Sequence, residues 1–296
     1  MENVATIIGN STSPINELAL SLVIDLITEQ GGKVIRHAWL SDAEAVDIYF
    51  DDGSDELREM LHTWVIDHGI DIIVQPIAGR RKKVLLADME STLIKEEMLE
   101  ELADFVGLRA KVEEITTRAM NGELDFKAAL KERLLLLKGL DAKILDELCQ
   151  KATITGGAKE LVATMRKHDA RCIIVSGGFK IFTQFIADKL GFDENYGNAL
   201  DIKDGKITGE MLEPVLDKTS KRTTLAETAK KLNISEADVC AVGDGANDVP
   251  MLLAAGLGIA YHAKPAVQQQ AKFNIRFANL RGLLWAQGYH AKDLSA

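Results

Sequence analysis

Three short apolar runs, each leading into polar residues, narrow the folds open to this chain. Val84-Leu85-Leu86-Ala87 leads into Asp88-Met89-Glu90-Ser91-Thr92, and Cys172-Ile173-Ile174-Val175 leads into Ser176-Gly177-Gly178. Val239-Cys240-Ala241-Val242 leads into Gly243-Asp244-Gly245-Ala246-Asn247-Asp248. Runs this short, apolar at every position and bounded by Gly or helical patterns, predict strands of a parallel sheet buried on both faces. Helical patterns at 158–168, 179–190, 223–232 and 249–255 alternate with them, which predicts an α/β fold with a doubly wound parallel sheet. In such sheets ligands sit beyond the carboxyl ends of the strands. The polar residues after each run are therefore expected on one rim. Asp204-Gly205 between 200–203 and 206–208 predicts a hairpin.

The chain ahead of these runs reads differently. Strand patterns at 6–8, 33–40, 45–50 and 69–74 enclose helical patterns at 15–30 and 51–68, the split β-α-β order of a small ferredoxin-like α+β domain. The domain plan is thus 1–78, a linker at 79–83, and a larger domain over 84–296. Arg80-Arg81-Lys82-Lys83 reads as the solvated linker, and Asn10-Ser11-Thr12-Ser13 as a helix cap ahead of Pro14. Between the first of these apolar runs and the remaining α/β units lies a helical stretch, with apolar Met98, Leu102, Phe105 and Val106 at helical spacing. It is expected to form a cap over about 95–151 that covers the rim.

The net charge of −10 argues against nucleic-acid or anionic-membrane partners, which are gripped by Lys and Arg. The start Met1-Glu2-Asn3-Val4 lacks the pattern of a secretory signal, and no apolar stretch approaches membrane-spanning length, so a soluble cytoplasmic protein is expected. Cys149, Cys172 and Cys240 lie far apart with no partner at zinc-ligand spacing and read as buried reduced thiols.

The rim residues carry the chemistry of phosphate-ester hydrolysis. Asp88 and Asp244 are hard oxygen donors suited to Mg²⁺, and Asp88 can attack phosphorus to form an aspartyl-phosphate. Glu90 can protonate the leaving oxygen and later activate water. Ser176 and the Gly177 amide, where a strand turns into a helix, suit phosphate oxygens, and Lys221 adds a point charge to the same group. Asp248 either supports the metal shell or orients Lys221.

This ordered set resembles the haloacid-dehalogenase-like phosphatases over roughly 83–288. Three longer stretches are similar to the phosphoserine phosphatases among them: 174–179, 242–248 and 255–265. The resemblance implies that Asp88 is the nucleophile, that Ser176 binds phosphate, and that Lys221, Asp244 and Asn247 hold phosphate and metal. In the cap it implies that Glu97 meets a substrate ammonium group and Arg133 its carboxylate, with Met120 and Phe126 closing the pocket. It also implies that Glu90 meets the metal through its backbone carbonyl, which with the residues read above gives a metal set of Asp88, Glu90, Asp244 and Asp248. The family usually has Asp where this chain has Glu90, and a displacement of about 1 Å there can cost on the order of a hundredfold in rate. The first domain resembles ACT-like regulatory modules, which implies a homodimer or amino-acid sensing.

The function expected is Mg²⁺-dependent release of L-serine and phosphate from O-phospho-L-serine. The alternatives are a related small-molecule phosphatase or phosphotransferase, or an amino-acid-sensing protein with a weakened catalytic domain.

Overall fold

The computed structural model describes residues 2–52, 55–120, 123–124, 126–217 and 219–295. The first domain runs β1 (Asn3–Ile8), α1 (Glu17–Glu29), β2 (Lys33–Ser41), β3 (Ala45–Asp51), α2 (Asp55–Asp67) and β4 (Asp71–Pro76). Its strands form an antiparallel sheet in the order β2-β3-β1-β4, the arrangement expected of the split β-α-β pattern. Ala5, Ile7, Val46, Ile48, Ile72 and Val74 share a core with Leu20, Val23, Ile27, Leu57 and Leu61 of the two helices. The alternate residues Thr6, Asp47 and Asp71 are also buried. They face the second domain, so the polar alternation of a two-faced sheet is kept here although both faces are buried.

The second domain begins with β5 (Val84–Ala87) and passes into the cap helices α3 (Met98–Phe105), α4 (Arg109–Met120), α5 (Phe126–Leu135) and α6 (Lys143–Lys151). There follow α7 (Ala158–Lys167), β6 (Arg171–Phe179), α8 (Lys180–Leu190), the hairpin β7 (Glu194–Lys203) and β8 (Lys206–Leu212), and α9 (Ser220–Leu232). The chain ends through β9 (Val239–Gly243), α10 (Val249–Ala254), β10 (Leu257–Tyr261), α11 (Pro265–Gln268), β11 (Phe273–Ile275) and α12 (Gly282–Ala286). The sheet order is β11-β10-β9-β5-β6-β7-β8, parallel except for the β7–β8 hairpin.

Burial explains the apolar runs. Leu85, Ala87, Cys172, Ile174, Cys240 and Val242 belong to one core, whereas Val84, Leu86, Ile173, Val175, Val239 and Ala241 belong to another on the opposite face. Both sets alternate along their strands, so neither face of the central strands meets water. The three cysteines are buried and unpaired.

The cap leaves and rejoins the sheet at one place. Lys95 N–H donates to Thr153 O at 3.1 Å and Thr155 N–H to Leu93 O at 2.9 Å. The hairpin grips the cap a second time, since Gly139 N–H donates to Ile207 O and Ala142 N–H to Gly205 O, both at 2.8 Å.

Three expectations are corrected. Arg80-Arg81-Lys82-Lys83 is not a solvated linker throughout, because Arg80 and Lys82 are buried. Arg80 pairs with Asp47 at 2.6 Å and donates to Thr6 Oγ1, Trp285 O and Ala286 O. Lys82 Nζ donates to Gly79 O and Ala237 O. A buried charge needs such partners, and the two domains supply them. The cap of α1 is Asn16, whose side chain accepts from Ala19 N–H at 2.9 Å. Asn10 instead closes its own loop by accepting from Thr12 and Ser13 N–H. Phe105 points outward at 56% exposure, while Met98 and Leu102 of the same helix are buried.

Among the described residues no helix is long and apolar enough to cross a membrane.

Candidate active site

The strand order brings the three motifs together. β5 lies between β9 and β6, with Ala87 in register with both Val242 and Ile174. Asp88, Asp244 and Ser176 therefore leave neighbouring strands within about one residue of the same level. The chain runs outward from β5 through β6 and β7, then crosses back to β9 and β10. The site thus lies at the switch point where open α/β sheets form a crevice.

Asp88 is nearly buried, donates its backbone N–H to Val242 O at 3.0 Å and accepts Met89 N–H on Oδ1 at 2.8 Å. Lys221, at the start of α9, reaches the same Oδ1 at 2.8 Å and Asp248 Oδ1 at 2.5 Å. Asp248 Oδ2 accepts Gly245 N–H at 2.9 Å. Its carboxylate packs on Gly243, where a Cβ would come within 2.3 Å of Asp248 Cγ. That contact accounts for glycine at the end of β9. Of the two roles read for Asp248, orientation of Lys221 is therefore visible directly.

Asp88, Asp244 and Asp248 each present a carboxylate oxygen within 4.8 Å of the others. Burial together with the charge of Asp248 pushes the Asp88 carboxyl well above its usual range, against the opposing pull of Lys221. Burial, Asp248 and Glu97 push Asp244 up to about 6. Burial disfavours the Lys221 ammonium, yet Asp88 and Asp248 more than offset that and raise its pKa. Three carboxylates around one ammonium leave a surplus of negative charge, and hard oxygen donors with such a surplus fit a divalent cation.

Glu90 is not one of these three. Its Oε1 accepts Met98 N–H at 2.9 Å. Burial and the charge of Glu97 raise its carboxyl to about 7. The carboxylate thus stands outside the expected metal set, leaving only the backbone carbonyl for that part.

Ser176 is buried, and its Oγ accepts Gly178 N–H at 2.9 Å. β6 continues to Phe179, with its pairing to β7 interrupted between Val175 and Phe179. The helix thus begins at Lys180, later than Ser176-Gly177 by a short irregular rim. Such interruptions re-aim groups beside active sites. Asn198, overlooked in the sequence because it lies in the hairpin, is buried and holds this rim. It donates to Gly177 O at 2.8 Å and accepts Leu216 N–H at 2.7 Å.

On the cap side, Glu97 accepts Ser91 Oγ at 2.7 Å, a tie that the sequence order alone does not show. Arg133 donates to Ala129 O at 3.3 Å and Thr116 Oγ1 at 3.4 Å. Burial lowers its pKa, opposed by Glu90, Glu100 and Glu97, so its charge acts on the same group of carboxylates. Asn247 is exposed. Met120 ends α4 and Phe126 begins α5, and their side chains lie outside the described residues.

A buried carboxylate beside a buried lysine, with an acidic cluster around them at the switch point, defines a phosphoryl-handling α/β hydrolase. Residues 85–253 match the haloacid dehalogenase-like hydrolase family. The chain is 40% identical over 256 residues to a phosphoserine phosphatase of Saccharomyces cerevisiae, covering 83% of each. A solved structure of a probable phosphoserine phosphatase from Vibrio cholerae superposes with a TM-score of 0.79 at 30% identity, over 96% of this chain and 86% of that one. A phospho-aspartyl intermediate analogue of phosphoserine phosphatase superposes with a TM-score of 0.64 at 39% identity, over 69% of this chain and 98% of that one. The chain belongs to the haloacid dehalogenase-like hydrolase family, in the branch whose members are named phosphoserine phosphatase.

Proposed function

We propose that this protein hydrolyses O-phospho-L-serine to L-serine and phosphate through an aspartyl-phosphate on Asp88, with Mg²⁺ as its metal. The observation that carries the reading is the Asp88 carboxylate beside Lys221, with Asp244 and Asp248 close by. The name shared by the relatives supports the substrate, and the phospho-aspartyl analogue supports the covalent route. Asp88, Asp244 and Asp248, with the Glu90 backbone carbonyl, would hold the metal. When bound, Mg²⁺ supplies positive charge that neutralises phosphate oxygens.

The chain's own groups do the rest. Lys221, the Ser176 hydroxyl and the Gly177 amide hold phosphate oxygens, with Asn247 at the edge of the same group. Arg133 takes the substrate carboxylate in bidentate fashion, Glu97 takes the ammonium group, and Met120 and Phe126 close the pocket. Asp88 bonds to phosphorus as the bond from phosphorus to the serine oxygen breaks, and Glu90 gives its proton to that oxygen. Glu90 then takes a proton from water, whose oxygen bonds to phosphorus as the bond from phosphorus to the Asp88 oxygen breaks. Phosphate leaves and Glu90 is protonated again. A carboxyl raised to about 7 suits a group that must both give and take a proton near neutral pH.

The first domain is read as an ACT-like module that pairs two copies. In support, β2 is an edge strand exposing Ile35, and α1 exposes Leu18 and Leu22.

A panel of phosphomonoesters assayed with Mg²⁺ tests the reading. O-phospho-L-serine should be turned over best. No phosphate from it, beside brisk hydrolysis of another ester, would remove the substrate assignment. Phosphohomoserine formed with added homoserine would make the protein a phosphotransferase.

A further inference from the structure

Glu90 makes contacts that proton transfer does not require. Its Oε1 accepts the N–H of Met98, the first residue of α3 and so of the cap. Glu97, which precedes that helix, makes no side-chain cap bond, since its carboxylate accepts Ser91 Oγ instead. The first amides of a helix have no partner within it, and a carboxylate there also meets the favourable end of the helix dipole. The other oxygen, Oε2, lies against the backbone at Gly178, where an added Cβ would sit 2.6 Å from it and 3.0 Å from Cδ. The carboxylate thus spans from the loop after β5, across the phosphate rim, to the start of the cap.

We propose that Glu90 is the N-terminal cap of the first cap helix, tethering that helix to the catalytic loop, and that Glu rather than Asp at this position provides the reach. Aspartate lacks one methylene, about 1.5 Å of carbon–carbon bond. From the same backbone, a 2.9 Å contact stretched by that amount falls outside hydrogen-bonding distance. Gly178 is the second requirement, because any side chain there displaces the carboxylate. The acid–base role of Glu90 rests on the function proposed above, whereas the tether rests on the contacts alone.

Amide hydrogen exchange on the full, substrate-free chain separates the two roles. Glu90→Gln keeps the length and an accepting oxygen but has no acid proton. Glu90→Asp keeps the acid but not the reach. Loss of a cap should speed exchange at the start of α3 about fivefold. That acceleration is expected in Glu90→Asp and in Gly178→Ala, with Glu90→Gln much nearer the rate of the unaltered chain, since it loses only the charge and keeps the hydrogen bond. Equal acceleration in Gln and Asp variants, or none in the Asp or Gly178→Ala variants, overturns the tether. Phosphoserine turnover reads the other role, since Glu90→Gln should lose about a hundredfold or more. Undiminished turnover in that variant removes the acid–base role and leaves the exchange result standing.

Discussion

At the scale of single residues, the site turns on Asp88 and the charges that face it. Asp88→Asn keeps the shape of the side chain but not the carboxylate that is the nucleophile in the function proposed, so phosphate release should fall at least about a thousandfold. Acid-quenched unaltered protein should carry covalent phosphate and the variant none, and a labelled variant would place the nucleophile elsewhere. Arg133 belongs to binding rather than bond-breaking in this reading. Arg133→Ala should raise KM about tenfold to a hundredfold, with kcat changed far less, and Arg133→Lys should restore only part of the loss. A large fall in kcat with KM unchanged would contradict it. Asp88, Asp244 and Ser176 were legible as a group because each directly follows a buried run. The partners of Glu90 were not, since its carboxylate bonds to Met98, eight residues on, and packs on Gly178, on another strand.

At the scale of elements, Glu194 ties β6, β7 and α9 to one another at the surface. Its carboxylate accepts from Arg171 at 2.7 Å, Lys231 at 3.1 Å and the Tyr196 hydroxyl at 2.8 Å. Burial alone would raise its pKa, but these donors hold it down at about 2, against an ordinary value of 4.5. A depressed carboxylate stabilises the fold above the unfolded pKa and loses that contribution as pH falls through the folded one. Glu194→Gln should therefore unfold at lower urea than the unaltered chain at pH 7, and the gap should close between about pH 4.5 and pH 2. A gap that is constant with pH would assign Glu194 a role by shape alone. The helices of this region follow their sequence patterns, whereas β6 runs on to Phe179 and β7 begins at Glu194, ahead of the strand read at 200–203. β10 and β11 were not read as strands, although β10 pairs with β9 and β11 with β10, consecutive strands of the chain; β11 is only three residues long. The grip of the hairpin on the cap was hidden because it joins segments far apart in the chain, Gly139 to Ile207 and Ala142 to Gly205.

At the scale of the whole molecule, the two domains share an apolar core, in which Ile8, Leu40, Ala45 and Ile73 belong to one cluster with Ile275, Leu280 and Trp285, and buried polar groups are set beside it. Arg80 pairs with Asp47 and reaches carbonyls at Trp285 and Ala286. Asp71 accepts the backbone N–H groups of Arg276, Phe277 and Ala278. Arg80→Met should destabilise the protein by about 3–5 kcal/mol, because it strands the Asp47 charge in the interface. Adding Asp47→Leu should recover most of the loss, as apolar replacements of buried pairs often do. Urea unfolding of the single and double variants measures both. A single variant that unfolds with the unaltered protein would show that the pair does not hold the domains together.

What the sequence determined by itself is what neighbouring residues encode: the period of each strand and helix, the order of the motifs, and the polar groups delivered at the ends of buried runs. Tertiary structure decided which of those groups meet. Arg80 follows the first domain in a basic run that looks solvated, yet its partners lie at positions 6, 47, 285 and 286. Lys221 looks like one charge among several on a helix, yet it is buried between Asp88 and Asp248. The physical reason is the same in both cases. Whether a charge is stable in place depends on the water it loses and the partners it gains, and folding supplies those partners from distant parts of the chain.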